Sequence, residues 1–174
     1  NNQLNKFANE YQDESNFLYV SGRNQKLFLI KNGNIEQEYT ISTGKTGFGD
    51  QRGSGKTPIG KLTITEKVGA GLPDYTLLVG LKPVKKDGKY VQLFNCDAYS
   101  ERIIGSIYKK VPNALKKIIP GNLKNYLESL KNCEAHVLTR ALVIDMSRGI
   151  YIHGTNMESN LGKPLSGGCI RMSN

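Results

Sequence analysis

The sequence predicts a mainly β fold with a helical insertion, an α+β chain, and three observations carry that expectation. Short runs rich in β-branched and aromatic residues recur in both the first half of the chain and its last quarter. Turn dipeptides that suit tight hairpins, Asn32-Gly33 and Asp87-Gly88, fall between such runs. Between Ala98 and Cys133 the apolar residues move to helical spacing.

Taken in order, residues 1–14 are polar and give at most a frayed helix, so 1–16 is set apart as an N-terminal segment before one domain at 17–174. Phe17–Ser21 and Lys26–Lys31 read as strands. Asn32-Gly33 folds the second of these back on Ile35–Ser42, because Asn and Gly accept the positive φ angles that a two-residue hairpin turn demands. Gly60–Lys67 is the next strand. Asp87-Gly88 is expected to join Leu77–Lys82 to Tyr90–Phe94, with Pro83, which has no amide proton, holding the first arm to an edge or strand end.

The helical stretch places Ile103, Ile104, Ile107 and Tyr108, then Leu115, Ile118 and Ile119, then Leu123, Tyr126, Leu127 and Leu130 on apolar faces, broken by Pro112 and Pro120. Two or three short helices follow, packing on a core or capping a cleft, within an insertion at about 69–134. Val137–Met146 and Gly149–His153 return to strand character.

With 174 residues, 38% of them apolar, and no apolar run near the roughly 18 residues of a membrane span, one core is expected. The net charge of +9 raises nucleic acid as a partner, yet Lys85-Lys86, Lys109-Lys110 and Lys116-Lys117 are scattered and not interleaved with aromatic residues, so no nucleic-acid module is read. Gly53-Ser54-Gly55-Lys56-Thr57 ends like a phosphate loop, but Asp50 stands where its first glycine belongs and Pro58 would interrupt the helix start, which excludes a nucleotide site of that kind. His136, His153, Cys133 and Cys169 lack the spacing of a zinc site, so neither metal nor other cofactor is expected. Of the three cysteines, Cys96 and Cys133 are either a disulfide or two separate thiols, and both readings stay open.

The chemistry concentrates in the last quarter. His153 closes a strand and opens a loop at Gly154-Thr155, and Ser166-Gly167-Gly168-Cys169-Ile170-Arg171 surrounds a thiol with small residues. A nucleophilic cysteine needs a base or positive charge to become a thiolate, and room for a carbonyl to approach the backbone. A lone cysteine is more often a buried small hydrophobe. The pair with His153 argues for a nucleophile and its base.

RGIYIHGTN at 148–156 and LGKPLSGGCIRMSN at 161–174 resemble the signature of the YkuD-type L,D-transpeptidases, bacterial enzymes that cut and rejoin peptidoglycan stem peptides through a cysteine. ISTGKTGFGDQRGSGKTPIGKLTI at 41–64 is similar to the same family's strand, glycine-rich loop and Thr-Pro-x-Gly turn. The resemblance implies a β-sandwich or barrel with a catalytic cysteine loop, and peptidoglycan stem peptides as partners. It implies a cell-envelope location, periplasm or extracytoplasmic wall, with a targeting segment outside this sequence. Gly167 departs from the family's Ser-His-Gly-Cys, and the family's pattern usually continues past Asn174.

By resemblance Cys169 is the nucleophile, His153 the base, and the Gly154 carbonyl the acceptor that orients the imidazole. His153 is expected to draw the Cys169 pKa down from about 8.5 toward neutrality. The N–H groups of Gly168 and Cys169 are the expected oxyanion donors. Arg171 either holds a substrate carboxylate or pairs with Asp145 or Glu158, and Ser166 either donates to the thiolate or caps the turn. Tyr151 and Gly167 complete the expected substrate contacts. Three functions stay open: transpeptidase, carboxypeptidase trimming tetrapeptides to tripeptides, and wall-binding module with a vestigial cysteine. Oligomeric state leaves no mark in the sequence.

Overall fold

The computed structural model describes residues 16–94 and 137–174. The expectations for residues 1–14, the helices of 98–133, Cys96, Cys133 and His136 lie outside the described residues.

The strands in chain order are β1 (Asn16–Ser21), β2 (Lys26–Lys31), β3 (Asn34–Thr40), β4 (Glu66–Val68), β5 (Leu77–Val79), β6 (Lys82–Pro83), β7 (Lys85–Lys86), β8 (Lys89–Tyr90), β9 (Val137–Asp145), β10 (Ile150–Gly154) and β11 (Ile170–Met172). β1, β2 and β3 form an antiparallel sheet in that order. Asn32 and Gly33 turn β2 into β3 with φ of 48° and 75°, the paired positive angles of a right-twisting hairpin.

A second sheet runs β11-β10-β9-β5-β6, with β4 also on β9. β10 and β11 are parallel, and the other pairings are antiparallel. Parallel neighbours need a crossover, here the loop from Thr155 to Cys169 with one short 3-10 turn, Glu158–Asn160. That turn is the only helical segment among the described residues.

The sheets meet at Leu27 of β2, Ile41 just after β3, Ile152 of β10 and Ile170 of β11, all at most 4% exposed. Leu18, Val20, Tyr39, Leu142, Ile144 and Met172 pack around them. Each such aliphatic side chain contributes about 1.5–3 kcal/mol by leaving water. Because strand side chains alternate, committing Ile152 and Ile170 to this core sends their neighbours His153 and Arg171 to the opposite face.

Three expected elements differ. The strand expected over Gly60–Lys67 pairs only from Glu66, since Gly60 has φ of 86° and the chain reaches β9 through Thr65 N–H on Val143 O at 2.9 Å. Asp87-Gly88 does close a hairpin, but its arms are β7 and β8. The expected first arm is cut by a turn at Gly80-Leu81, φ 56° and 62°, that folds β5 onto β6. Pro83 sits in β6, the last strand of the β11-β10-β9-β5-β6 path.

Candidate functional site

Cys169 immediately precedes β11 and is of intermediate exposure. Its Sγ accepts the Tyr151 N–H at 3.4 Å and its thiol donates to the Gly149 carbonyl at 3.5 Å, so the start of β10 holds the sulfur from both sides. Burial pushes the Cys169 thiol up from its ordinary range, and the Tyr151 N–H and the Arg171 charge pull the other way without reversing the shift. Desolvation outweighs the local positive field, so the shift runs opposite to the lowering expected from His153.

His153 is 4% exposed and stands opposite Arg171 in the β10–β11 register. Its Nδ1 lies 2.7 Å from Gly154 O. A carbonyl only accepts, so Nδ1 carries the proton and Nε2 keeps the lone pair that can take one. The neighbouring strand is bent at this point: His153 pairs with Ala141 but Gly154 with Leu138, leaving Thr139 and Arg140 bulged, with Thr139 at φ 60°.

The bulge is clasped. Thr139 Oγ1 accepts Tyr75 N–H at 2.7 Å and donates to Asn174 Oδ1, while Asn174 Nδ2 donates to Thr155 O at 2.7 Å. A side chain at Gly154 would run into Asn174 Oδ1 and would come within 2.9 Å of Leu138 O. Glycine is needed here for close approach.

The cysteine loop is held from the far side by the glycine-rich loop of residues 44–57. Ser166 N–H donates to Thr43 O and Lys45 N–H to Ser166 O, both at 2.9 Å. Thr57 Oγ1 donates to Gly168 O at 2.8 Å. Gly168 has φ of 123°, and a Cβ there would meet Ile150 Cδ1 at 3.0 Å and Lys56 O at 3.2 Å. After Gly53–Thr57, where a phosphate loop would open a helix, Thr57 instead forms a β-bridge with Phe48 and no helix follows among the described residues.

The other expected residues divide. Ser166 is fully buried, its hydroxyl donates to Cys169 O and accepts the Gly168 N–H at 3.2 Å, so it caps the turn and neither donates to the sulfur nor faces substrate. The same bond engages the Gly168 N–H, which corrects its expected place as an oxyanion donor and leaves Cys169 N–H, which meets no partner among the described residues. Arg171 is 5% exposed, its backbone bonded to Ser42 in both directions, and its charge reaches Cys169. Asp145 and Glu158, considered as its partners, engage Arg148 at 3.9 Å and the Tyr75 hydroxyl at 3.2 Å. Tyr151 touches the sulfur through its backbone, and burial, then the Cys169 and Glu66 charges, raise its hydroxyl pKa, keeping it a donor at neutral pH. Gly167 is exposed, with nothing within 4 Å of a Cβ placed on it.

Two residues escaped the sequence reading. Arg148 donates from Nη2 to Lys56 O at 2.8 Å and faces Asp50 at 3.7 Å, tying the glycine-rich loop to the strand that holds Cys169. The double carbonyl–amide role of Thr57 was equally hidden, because nothing in a Thr-Pro-x-Gly string tells where the hydroxyl points. Among the described residues no cluster of His, Cys, Asp and Glu could hold a metal ion, and no helix is long and apolar enough to cross a membrane.

The family model described as YkuD, L,D-transpeptidase catalytic domain, matches residues 15–174. No curated protein matches the chain. Among solved structures it is similar to LD transpeptidase LdtMt1 in complex with imipenem, with 19% identity and a TM-score of 0.46 over 91% of this chain and 50% of that one. It is similar to an L,D-transpeptidase from Mycobacterium smegmatis, with 15% identity and a TM-score of 0.46 over 91% of this chain and 49% of that one. The third is L,D-transpeptidase 3 from Mycobacterium tuberculosis in complex with a faropenem-derived adduct, with 16% identity and a TM-score of 0.44 over 92% of this chain and 52% of that one. The chain spans about half the length of the solved structures it matches.

Proposed function

Because the chain belongs to the L,D-transpeptidase catalytic domain family, we propose that it is a cysteine-dependent acyl transferase acting on peptidoglycan tetrapeptide stems in the cell envelope. The observation that supports the reading is that the thiol and the imidazole both belong to β10's surroundings: β10 carries His153, its Tyr151 N–H donates to Cys169 Sγ at 3.4 Å, and the imidazole tautomer is fixed by Gly154 O at 2.7 Å. His153 Nε2 takes the Cys169 proton as the sulfur attacks the carbonyl at the L-centre of the diamino acid. A thiol whose pKa is pushed up by desolvation suits this order, because deprotonation coupled to attack avoids a standing desolvated thiolate.

The carbonyl π pair moves onto oxygen, and Cys169 N–H stabilises the charge. Collapse of the adduct expels D-alanine, whose amine takes the proton from His153, and a thioester stays on Cys169. A second stem's amine then displaces the sulfur, which regains a proton, and a crosslink results. Arg171, buried beside His153, supplies positive potential to the sulfur, in place of the substrate clamp considered above. The net charge of +9 favours residence beside anionic wall polymers.

The test incubates the protein with a purified disaccharide-tetrapeptide and follows intact mass and products, with Cys169→Ala as control. A Cys169-dependent adduct with dimeric product is expected. Tripeptide alone gives the carboxypeptidase, and full biological activity in Cys169→Ala gives the binding module.

A further inference from the structure

We propose that Thr57 is a positioning residue for the acyl-transfer step, its hydroxyl orienting the Gly168–Cys169 peptide so that the Cys169 N–H faces the oxygen of the carbonyl under attack. The inference rests on the acyl-transfer reading above and adds to it a residue 111 positions from Gly168 in the chain.

The hydroxyl has one proton and two neighbours. Gly44 N–H donates to Thr57 Oγ1 at 2.8 Å, so that neighbour fills a lone pair, and the proton goes to Gly168 O, also at 2.8 Å. The described chain has no cis peptide bond, and in a trans peptide the carbonyl of one residue and the N–H of the next point in opposite directions. Fixing Gly168 O toward Thr57 therefore turns Cys169 N–H away from the glycine-rich loop. Of the backbone groups at this turn, Gly168 N–H and Cys169 O are both taken by Ser166 Oγ. Cys169 N–H is left to meet a ligand oxygen.

Thr57 can aim a peptide because it is itself immobile. It is 1% exposed, its N–H donates to Gly47 O at 3.0 Å, and its carbonyl accepts Gly49 N–H at 2.9 Å. The preceding carbonyl, Lys56 O, accepts Arg148 Nη2 at 2.8 Å. Gly168 supplies the complement: only a residue without Cβ holds φ of 123° this close to Lys56 O. A donor held in advance costs no reorganisation when charge develops, whereas one free to swing must be ordered at the barrier.

The experiment measures single-turnover acylation by the tetrapeptide, KM, and the pH profile of Cys169 alkylation by iodoacetamide in the full chain. Alkylation develops no oxyanion and needs only the thiolate, so it separates aiming of the amide from general damage to the site. Thr57→Val is expected to slow acylation roughly 100-fold, with KM and the alkylation profile unchanged, while Thr57→Ser acylates like the wild type. Acylation by Thr57→Val within roughly threefold of wild type overturns the proposal, and so does a parallel fall in alkylation. Should Thr57→Val not fold, Thr57→Ala, which leaves space for a water, is held to the same two criteria. A wild-type protein inert to the tetrapeptide sinks the acyl-transfer reading alone. The Cys169 amide resonance is then the readout: it moves in Thr57→Val and stays in Thr57→Ser, and an unmoved resonance overturns the positioning itself.

Discussion

His153 lies in β10 and Cys169 immediately before the neighbouring β11, yet they are fixed by different means. The imidazole takes its orientation from the carbonyl of the very next residue, at 2.7 Å. The peptide that carries the thiol is gripped by Thr57, 111 positions away from Gly168, and its loop by Thr43 and Lys45. The sulfur adds contacts to Gly149, just before β10, and to Tyr151 within it. A local contact forms whenever the strand forms. The assembled one depends on both sheets and the glycine-rich loop being in place, so the reactivity of Cys169 is the more exposed of the two to distant substitution.

The largest test of that contrast is Gly168→Ala. A methyl group at φ 123°, 3.0 Å from Ile150 Cδ1 and 3.2 Å from Lys56 O, forces the turn to move. Acyl transfer is expected to fall by about 100-fold, with about 1–3 kcal/mol lost from denaturant-melting stability. An alanine variant that keeps both rate and stability would break the idea that this peptide is held in one orientation.

A smaller effect is expected from pH. Burial raises the Cys169 pKa, against the opposing pull of the Tyr151 N–H and Arg171, so alkylation in the absence of substrate is expected to gain speed only above the ordinary thiol value of about 8.5. The folded value lies above the unfolded one. The stabilisation from this group is then full below the unfolded pKa and is lost as pH rises through the folded pKa. Thermal melts should therefore fall more steeply with alkaline pH in the wild type than in Cys169→Ser. An alkylation midpoint near neutrality would mean that His153 holds a resting thiolate pair after all.

The smallest expected effect is Gly167→His, which restores the residue that the family motif usually has. The position is exposed and open for 4 Å around a Cβ, so stability is expected to stay within about 0.5 kcal/mol. A measured loss well beyond that in chemical denaturation would show that the cysteine loop tolerates less than its open surroundings indicate.

What could be read from the amino-acid string was what short-range physics decides. The β-branched and aromatic run in Lys26–Lys31 and the positive-φ turn at Asn32-Gly33 each need only a few residues to act, and β2, its turn and β3 follow them closely. The histidine at a strand end and the thiol among small residues were legible for the same reason: their chemistry lies in residue type and immediate neighbours. The Asp87-Gly88 turn was legible too, but the extent of its arms was not, because Gly80-Leu81 also turns and pairing across the sheet chooses between them.

The tertiary structure decided everything that depends on which groups meet across the chain. Ser166 was undecided between sulfur and turn until its hydroxyl was seen bridging Gly168 N–H and Cys169 O. The sign of the Cys169 pKa shift turned on burial, which a sequence does not state, against two local pulls that it partly suggests. Thr57 and Arg148 gained their meaning only from Gly168 O and Lys56 O, because a hydrogen bond between residues 111 or 92 positions apart is set by how two sheets and two loops pack, and no local propensity encodes that distance.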